Sequence, residues 1–442
     1  MSPVVPLALC MLLISLGLTH AMFSGKWLNP ITALFFPHLL LLISYQLSLD
    51  RGLFTFELSA NAWAILSAAY FCFAAGVVAA YTIAPGSARR GNRRVFDLVE
   101  ADHFQKTTVL FISILFLSVV SKYVKILTTY GDPFANILQI RKDYVADQLN
   151  YGLANSTGFL FSFLIMMNLG ILIGSRKPWA KWLAPASITL VILNDFSTGG
   201  AYWTFLGLCM MFIARSVTSQ VSAPAEAKKR HLTSVLSLAI IPFAMALLLS
   251  LRSEGKYGNE ISFYDIFVTY MGGNIASFGY FLDNPFPSEP AGRHLLGGIY
   301  GLANGALSLF DVNFLPANDP KDYWADIGFG GIPWNTSVHF AYYFADFGWI
   351  GLLLTSAALG LLAGATYMKV LSKPSLIIIQ YCVVVLYTAV VSIRNVPSEG
   401  QYFWLLLVIL PAMNAYNRLR HRQGMYRTQP PRTSLNVPRA LS

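Results

Sequence analysis

Apolar stretches of roughly 20 residues, the length a helix needs to cross a hydrocarbon core, recur from one end of this chain to the other. They fall near 3–23, 29–48, 59–83, 106–128, 155–174, 181–196, 201–215, 234–251, 347–367, 375–393 and 402–416. The pattern predicts an all-α, polytopic membrane protein of about eleven transmembrane helices. The run AYWTFLGLCMMFIAR at 201–215 is short for a span. Composition agrees: of 442 residues, 55% are hydrophobic and 12% charged, against roughly 25% charged in a soluble domain. Too little charge remains to solvate a surface, so most of it must face lipid. The first run follows no basic segment and lacks a small-x-small cleavage site, so it reads as a retained span rather than a signal peptide.

The formal charge of +10 is unevenly spread. Arg89, Arg90, Arg93 and Arg94 follow the third run, Arg176, Lys177 and Lys181 the fifth, and Lys228, Lys229 and Arg230 the seventh. Lys369 and Lys373 follow the ninth, and Arg418, Arg420, Arg422 and Arg427 the last. With this layout all lie on one side, which the positive-inside rule makes the cytoplasm. The N-terminus is then periplasmic and the C-terminus cytoplasmic, in a bacterial inner membrane. The same distribution argues against nucleic acid as a partner. Cys10, Cys72, Cys209 and Cys382 sit inside apolar runs without metal-ligand spacing and read as packing residues.

Four regions follow: spans over 1–251, a large outer loop over 252–336, further spans over 337–417, and a basic, disordered tail over 418–442. A second outer connection covers 129–155. Within the large loop, 263–282 and 295–310 are apolar enough to predict short amphipathic helices resting on the membrane surface. If one crosses instead, parity requires the other to cross too.

Most catalytic signatures are missing: the chain has no P-loop, GxSxG, HExxH or metal-binding DxD. Glu100 and Asp102 beside many arginines read as a solvated charge cluster. Neither a metal nor a cofactor is implied. The cations on the outer side are more informative, because they run against the orientation rule. Arg252 is followed by Glu254 and Lys256, and Arg394 by Glu399. Lys122 and Lys125 share a helix face, and Arg141 and Lys142 lie in the first outer loop. Each alone fits snorkelling, with the stem in lipid and the charge at the interface. Several converging on one surface fit a site for an anionic group. In NTSVHFAYYFADFGWIG, Asn335–Gly351, a helix places His339, Tyr343 and Asp346 on one face. Those groups can bind sugar hydroxyls or move a proton; from spacing alone, an interfacial aromatic belt is the better-supported reading.

This segment resembles the Wzy-type oligosaccharide repeat-unit polymerases and, more distantly, the O-antigen ligases. The likeness rests on Asn335, Thr336, Tyr342, Tyr343, Asp346, Phe347, Gly348 and Gly351. NILQIRKDYVADQ, Asn136–Gln148, is similar to the family's arginine-containing outer stretch. NDFSTGGAYWTFL, Asn194–Leu206, sits where many members open a helix with Ser-Gly-Arg, but this chain has Gly199 and Gly200 and no arginine there, so that role does not transfer. The likeness covers the architecture of the chain but only three short motifs.

The resemblance implies a glycosyltransferase on the outer leaflet, joining undecaprenyl-diphosphate-linked oligosaccharide units into a surface polysaccharide without nucleotide sugar, metal or cofactor. It would place Arg252 and Arg394 on the diphosphate, with Lys256, Arg293 and Arg141 behind them. His339, Asp346 or Glu254 would serve the acceptor hydroxyl, and Asn335 and Tyr343 the sugar. Membrane lipid, a chain-length regulator and a flippase are the implied partners. A ligase with another acceptor, and a transporter or flippase for lipid-linked oligosaccharide, are the competing expectations.

Overall fold

A computed structural model describes residues 4–23, 26, 28–83, 99, 102–146, 148–149, 151–200, 202–222, 262–284, 292–307, 324–329, 334, 336–394, 397 and 400–428. These form thirteen helices: α1 Val4–Phe23, α2 Pro30–Asp50, α3 Ala60–Ile83, α4 Asp102–Tyr130, α5 Ile137–Val145, α6 Leu153–Gly174 and α7 Ala180–Phe196. They continue as α8 Tyr202–Ser222, α9 Phe263–Asp283, α10 Arg293–Leu307, α11 His339–Ser372, α12 Leu376–Val391 and α13 Gln401–Thr428. The described residues hold no strand, only an isolated bridge between Ala325 and Trp334. The all-α expectation holds. Six helices, α2, α3, α4, α6, α8 and α11, are long and apolar enough to cross a membrane. Shorter apolar helices cover Cys10–Thr19 and Leu376–Val391. The short seventh run extends to Ser222, a full-length helix; the eighth, at 234–251, lies outside the described residues.

Local signals explain several boundaries. Asn29 accepts N–H bonds from Ile31 and Thr32 while Thr32 Oγ1 accepts from Asn29 N, a reciprocal cap just ahead of Pro30. Ser375 Oγ accepts from Ile378 N at the start of α12. Packing between spans then depends on small residues, because lipid supplies no hydrophobic drive for helix association. Against α3, a Cβ added to Gly360 would run into the Phe73 carbonyl, and one on Gly364 would come within 2.6 Å of Ala80 Cβ. Gly76 answers from the other side, facing the Ala357 carbonyl. The α6–α8 pair uses the same device: Gly170 faces Met211 O and Ala214, and Gly174 faces Arg215 O and Thr218.

Polar contacts tie the two ends of the bundle. At one end, Tyr367 OH donates to Leu28 O at 3.1 Å, and Gln220 Nε2 reaches the same carbonyl at 2.9 Å. At the other, Thr55 N and Phe56 N donate to Ile327 O, and His339 N donates to Ser392 O at 2.8 Å. This second end, called the mouth below, gathers the connections that the charge pattern places outside.

The two apolar stretches of the large loop do form helices, α9 and α10. Helix α9 packs along α2, with Ile266, Val268, Ile275, Ala276 and Phe278 buried. Its glycine pair explains the closeness: Gly272 lies against the backbone of Ser44 and Tyr45, and Gly273 against the Trp334 ring. Arg51 Nε donates to Asp265 Oδ1 at 2.7 Å, pinning the start of α9 to the end of α2. Partial burial pushes the Asp265 carboxyl up, but bonds from Ser262 and Arg51 outweigh it and hold the group below its usual range. Helix α10 lies between α11 and α13, its Gly298 against Gly400 O and Trp404, its Gly301 against Gln401.

Candidate functional site at the mouth of the bundle

The Asp-Phe-Gly-x-x-Gly segment is a joint. Asp346 accepts from His294 N at 3.0 Å and from Leu295 N at 2.8 Å, so its two oxygens cap the N-terminus of α10. Gly348 has φ 67° and ψ −169° in the middle of α11, a backbone conformation essentially restricted to glycine. Phe347 folds back over Gly351, where any Cβ would collide with it, and its ring approaches Gly292 ahead of α10. Residues 339–347 are thereby set apart from the rest of α11. Their inner face is buried, with His339 at 1%, Tyr343 at 4% and Asp346 at 8% exposure.

His339, Tyr343 and Asp346 do share that face, as their spacing predicts. Their environments differ from the expectation of groups open at a span's outer mouth. His339 Nδ1 faces Ser392 O at 3.2 Å, and His38 Nδ1 faces Leu34 O at 3.0 Å. A carbonyl only accepts, so each Nδ1 carries the proton and each Nε2 keeps a lone pair. Both Nε2 atoms are buried and meet no partner among the described residues, as does Tyr70 OH. The two imidazoles lie 6.0 Å apart, with Tyr343 edge-on to His339 at 5.0 Å. His339 is thus sealed one layer below the surface. Asp346 accepts a backbone N–H on each oxygen, which ties it to the start of α10.

Of the expected anion-binding residues, Arg293 starts α10 beside Asp346, and Arg394 lies two residues beyond Ser392. The first two turns of α11 thereby hold the segments that carry both arginines, at anchor points roughly 10 Å apart along its axis. Arg141 is elsewhere at the mouth: α5 lies on the α7–α8 turn, with Arg141 Nη1 3.5 Å from Thr198 O. Arg252, Glu254, Lys256 and Asn335 lie outside the described residues. No group of three His, Cys, Asp or Glu side chains suited to a metal occurs among those described.

A second polar group surrounds Lys122, which the sequence singled out as an outer cation but gave no specific role. Lys122 is fully buried on α4, donating to Asn194 Oδ1 at 2.9 Å and Asn155 Oδ1 at 3.4 Å. Its ammonium also lies 4.8 Å from the Phe159 ring centroid and 5.4 Å from that of Tyr151. Asp195, next to Asn194, accepts from Thr204 N at 2.7 Å through Oδ2, while buried Oδ1 meets no partner among the described residues. The signal that could have found this group is a lysine inside an apolar run, a functional candidate by default. An aromatic seam runs from this group toward α10: Phe159 packs at a tilt on Trp203 at 4.4 Å, and Trp203 meets Tyr402 edge-on at 5.1 Å, beside the contact of Gly400 with Gly298.

No protein-family model, curated protein or solved structure matches the chain.

Proposed function

We propose that this protein is a glycosyltransferase that polymerises undecaprenyl-diphosphate-linked oligosaccharide units at the periplasmic face of the inner membrane. In this reading the mouth faces the periplasm, the chain crosses about eleven times, and the N- and C-termini lie on opposite sides. The observation that carries it is that the chain segments bearing Arg293 and Arg394 are both anchored on the first two turns of α11, before the Gly348 kink: His294 N donates to Asp346, and His339 N to Ser392 O. Past the kink α11 turns apolar and exposed, with Trp349 59%, Ile350 56% and Leu354 67% accessible. A lipid diphosphate has the same layout, a polyanionic head at the interface and a tail that stays in hydrocarbon.

The chemistry follows from that arrangement. An acceptor hydroxyl oxygen bonds to the anomeric carbon of the donor sugar. The anomeric carbon–phosphate oxygen bond breaks, and the electron pair leaves with the diphosphate. Fixed cations stabilise that growing charge better than water does, because they need no reorganisation. Tyr343 and His339 shape the wall beneath. A ligase would share this geometry and differ in its acceptor.

Deletion of the gene, read as surface glycan on a gel, tests the reading. A polymerase loss leaves at most one capped repeat unit; a flippase loss leaves none exposed. Complementation with Arg394→Ala or Arg293→Ala, inserted at wild-type level, is expected to leave glycan synthesis about 100-fold down, the effect of removing one charge-stabilising donor. Full-length glycan from both variants would remove this pair from the mechanism.

A further inference from the structure

The residues on both sides of Arg293 are held by one short stretch of α11. Ahead of it, Gly292 has φ 82°, and a Cβ there would come within 3.2 Å of Phe347 Cζ. After it, the His294 ring centre lies 5.1 Å from that of Tyr342, and the N–H groups of His294 and Leu295 donate to the two oxygens of Asp346. Tyr342 and Asp346 stand one turn apart on α11, so they reach the same part of α10 together. Gly348, at φ 67°, turns the chain directly after Asp346 and Phe347, and Gly351 leaves the room that Phe347 fills. The Asp, the Phe and both glycines of the motif thus bear on residues 292–295.

Asp346 also decides how α10 can meet an anion. The N–H groups at a helix N-terminus are a ready site for phosphate, but here a carboxylate of the protein takes two of them. A diphosphate at the mouth therefore meets α10 through a side chain, and Arg293 is its first residue. Arg293 is 9% exposed, so little of it can swing through water and the backbone around it sets its position. A cation with little water around it acts more strongly on a nearby charge. Further along, α10 is fixed by Gly298 against Gly400 O and Gly301 against Gln401, which leaves its first turn to the α11 contacts.

We infer that the Asp-Phe-Gly-x-x-Gly segment is a cradle for Arg293, with Asp346 as a positioning residue that sets the guanidinium against the leaving diphosphate and takes no proton itself. This inference rests on the transferase reading above. Asp346 acts on the reaction only through the two N–H bonds that it accepts. Without them the first turn of α10 shifts, and Arg293 shifts with it. A misplacement of about 1 Å is enough to cost a reaction about 100-fold.

The test is a double-mutant cycle on purified protein in liposomes, read as the initial rate at which the host's undecaprenyl-diphosphate repeat unit is extended. Asp346→Ala is expected to lower that rate about 100-fold. Added to Arg293→Ala it is expected to cost nothing further, because both act through one guanidinium. Added to Arg394→Ala it is expected to cost its full factor, whereas a merely structural role would lower the active fraction in every background alike. Asp346→Asn, which keeps one acceptor oxygen, is expected to stay within about 10-fold of wild type, the worth of one hydrogen bond. If wild-type protein leaves the repeat unit unextended, the transferase reading fails. If wild type extends it, but Asp346→Asn is as slow as Asp346→Ala or the Asp346→Ala loss persists in full on Arg293→Ala, the cradle inference alone fails. Should Asp346→Ala not insert, Phe347→Ala is read in the same cycle. Its smaller loss is expected to vanish in the Arg293→Ala background, and a loss that persists there overturns the cradle.

Discussion

Asp346 and Asp195 are both carboxylates at the mouth of the bundle, and their hydrogen bonds separate their roles. Asp346 has an N–H on each oxygen and holds α10 in place; Asp195 has one oxygen engaged and one without a partner among the described residues. Asp346→Ala should therefore free the start of α10, at about 1–2 kcal/mol for a lost cap. Limited proteolysis of the purified protein should show faster cleavage near 285–292, and an unchanged rate would mean that other contacts hold the helix. The sequence made His339, Tyr343 and Asp346 legible as one helical face, since that needs only periodicity. What each side chain touches was not legible. Ser392, which fixes the His339 tautomer, lies 53 residues away, and Asn194, which receives Lys122, lies 72 away. Pairings over such distances depend on how the spans pack, which no local pattern encodes.

Helix positions were the most readable feature, because apolar length and caps are local. Helix packing was not read from the sequence, although it depends on glycines such as Gly360 and Gly364 on α11. Gly360→Leu should separate α3 from α11, costing about 1–3 kcal/mol or more for overpacking. Thermal unfolding in detergent measures this; a Tm equal to wild type would mean that the pair does not depend on close backbone approach. The packing of α9 on α2 was not read from the sequence, for the same reason that Gly272 was uninformative alone. An apolar stretch with a glycine pair suits a membrane surface or a neighbouring helix equally well, and Ser44 and Tyr45 of α2 settle the choice. The joint at Gly348 was legible as a motif, while its cause, a positive φ beneath the α10 cap, needed the backbone.

At the scale of the molecule, the segments that the charge pattern places outside meet at one end of the bundle. Ile327 reaches Thr55, Ser392 reaches His339, and α5 lies on the α7–α8 turn. Conversely, Leu28, Gln220 and Tyr367 join at the other end. This gives the proposed reaction one surface on which two lipid-linked substrates can meet, with apolar helix faces below it for both tails. The central claim is transfer of glycan between lipid diphosphates, and reconstitution tests it most directly. The purified protein in liposomes, given its host's undecaprenyl-diphosphate repeat unit with no nucleotide sugar and with a chelator present, should convert the single unit into a ladder of longer lipid-linked glycans. A repeat unit left unextended by protein shown to be folded and inserted would contradict the account.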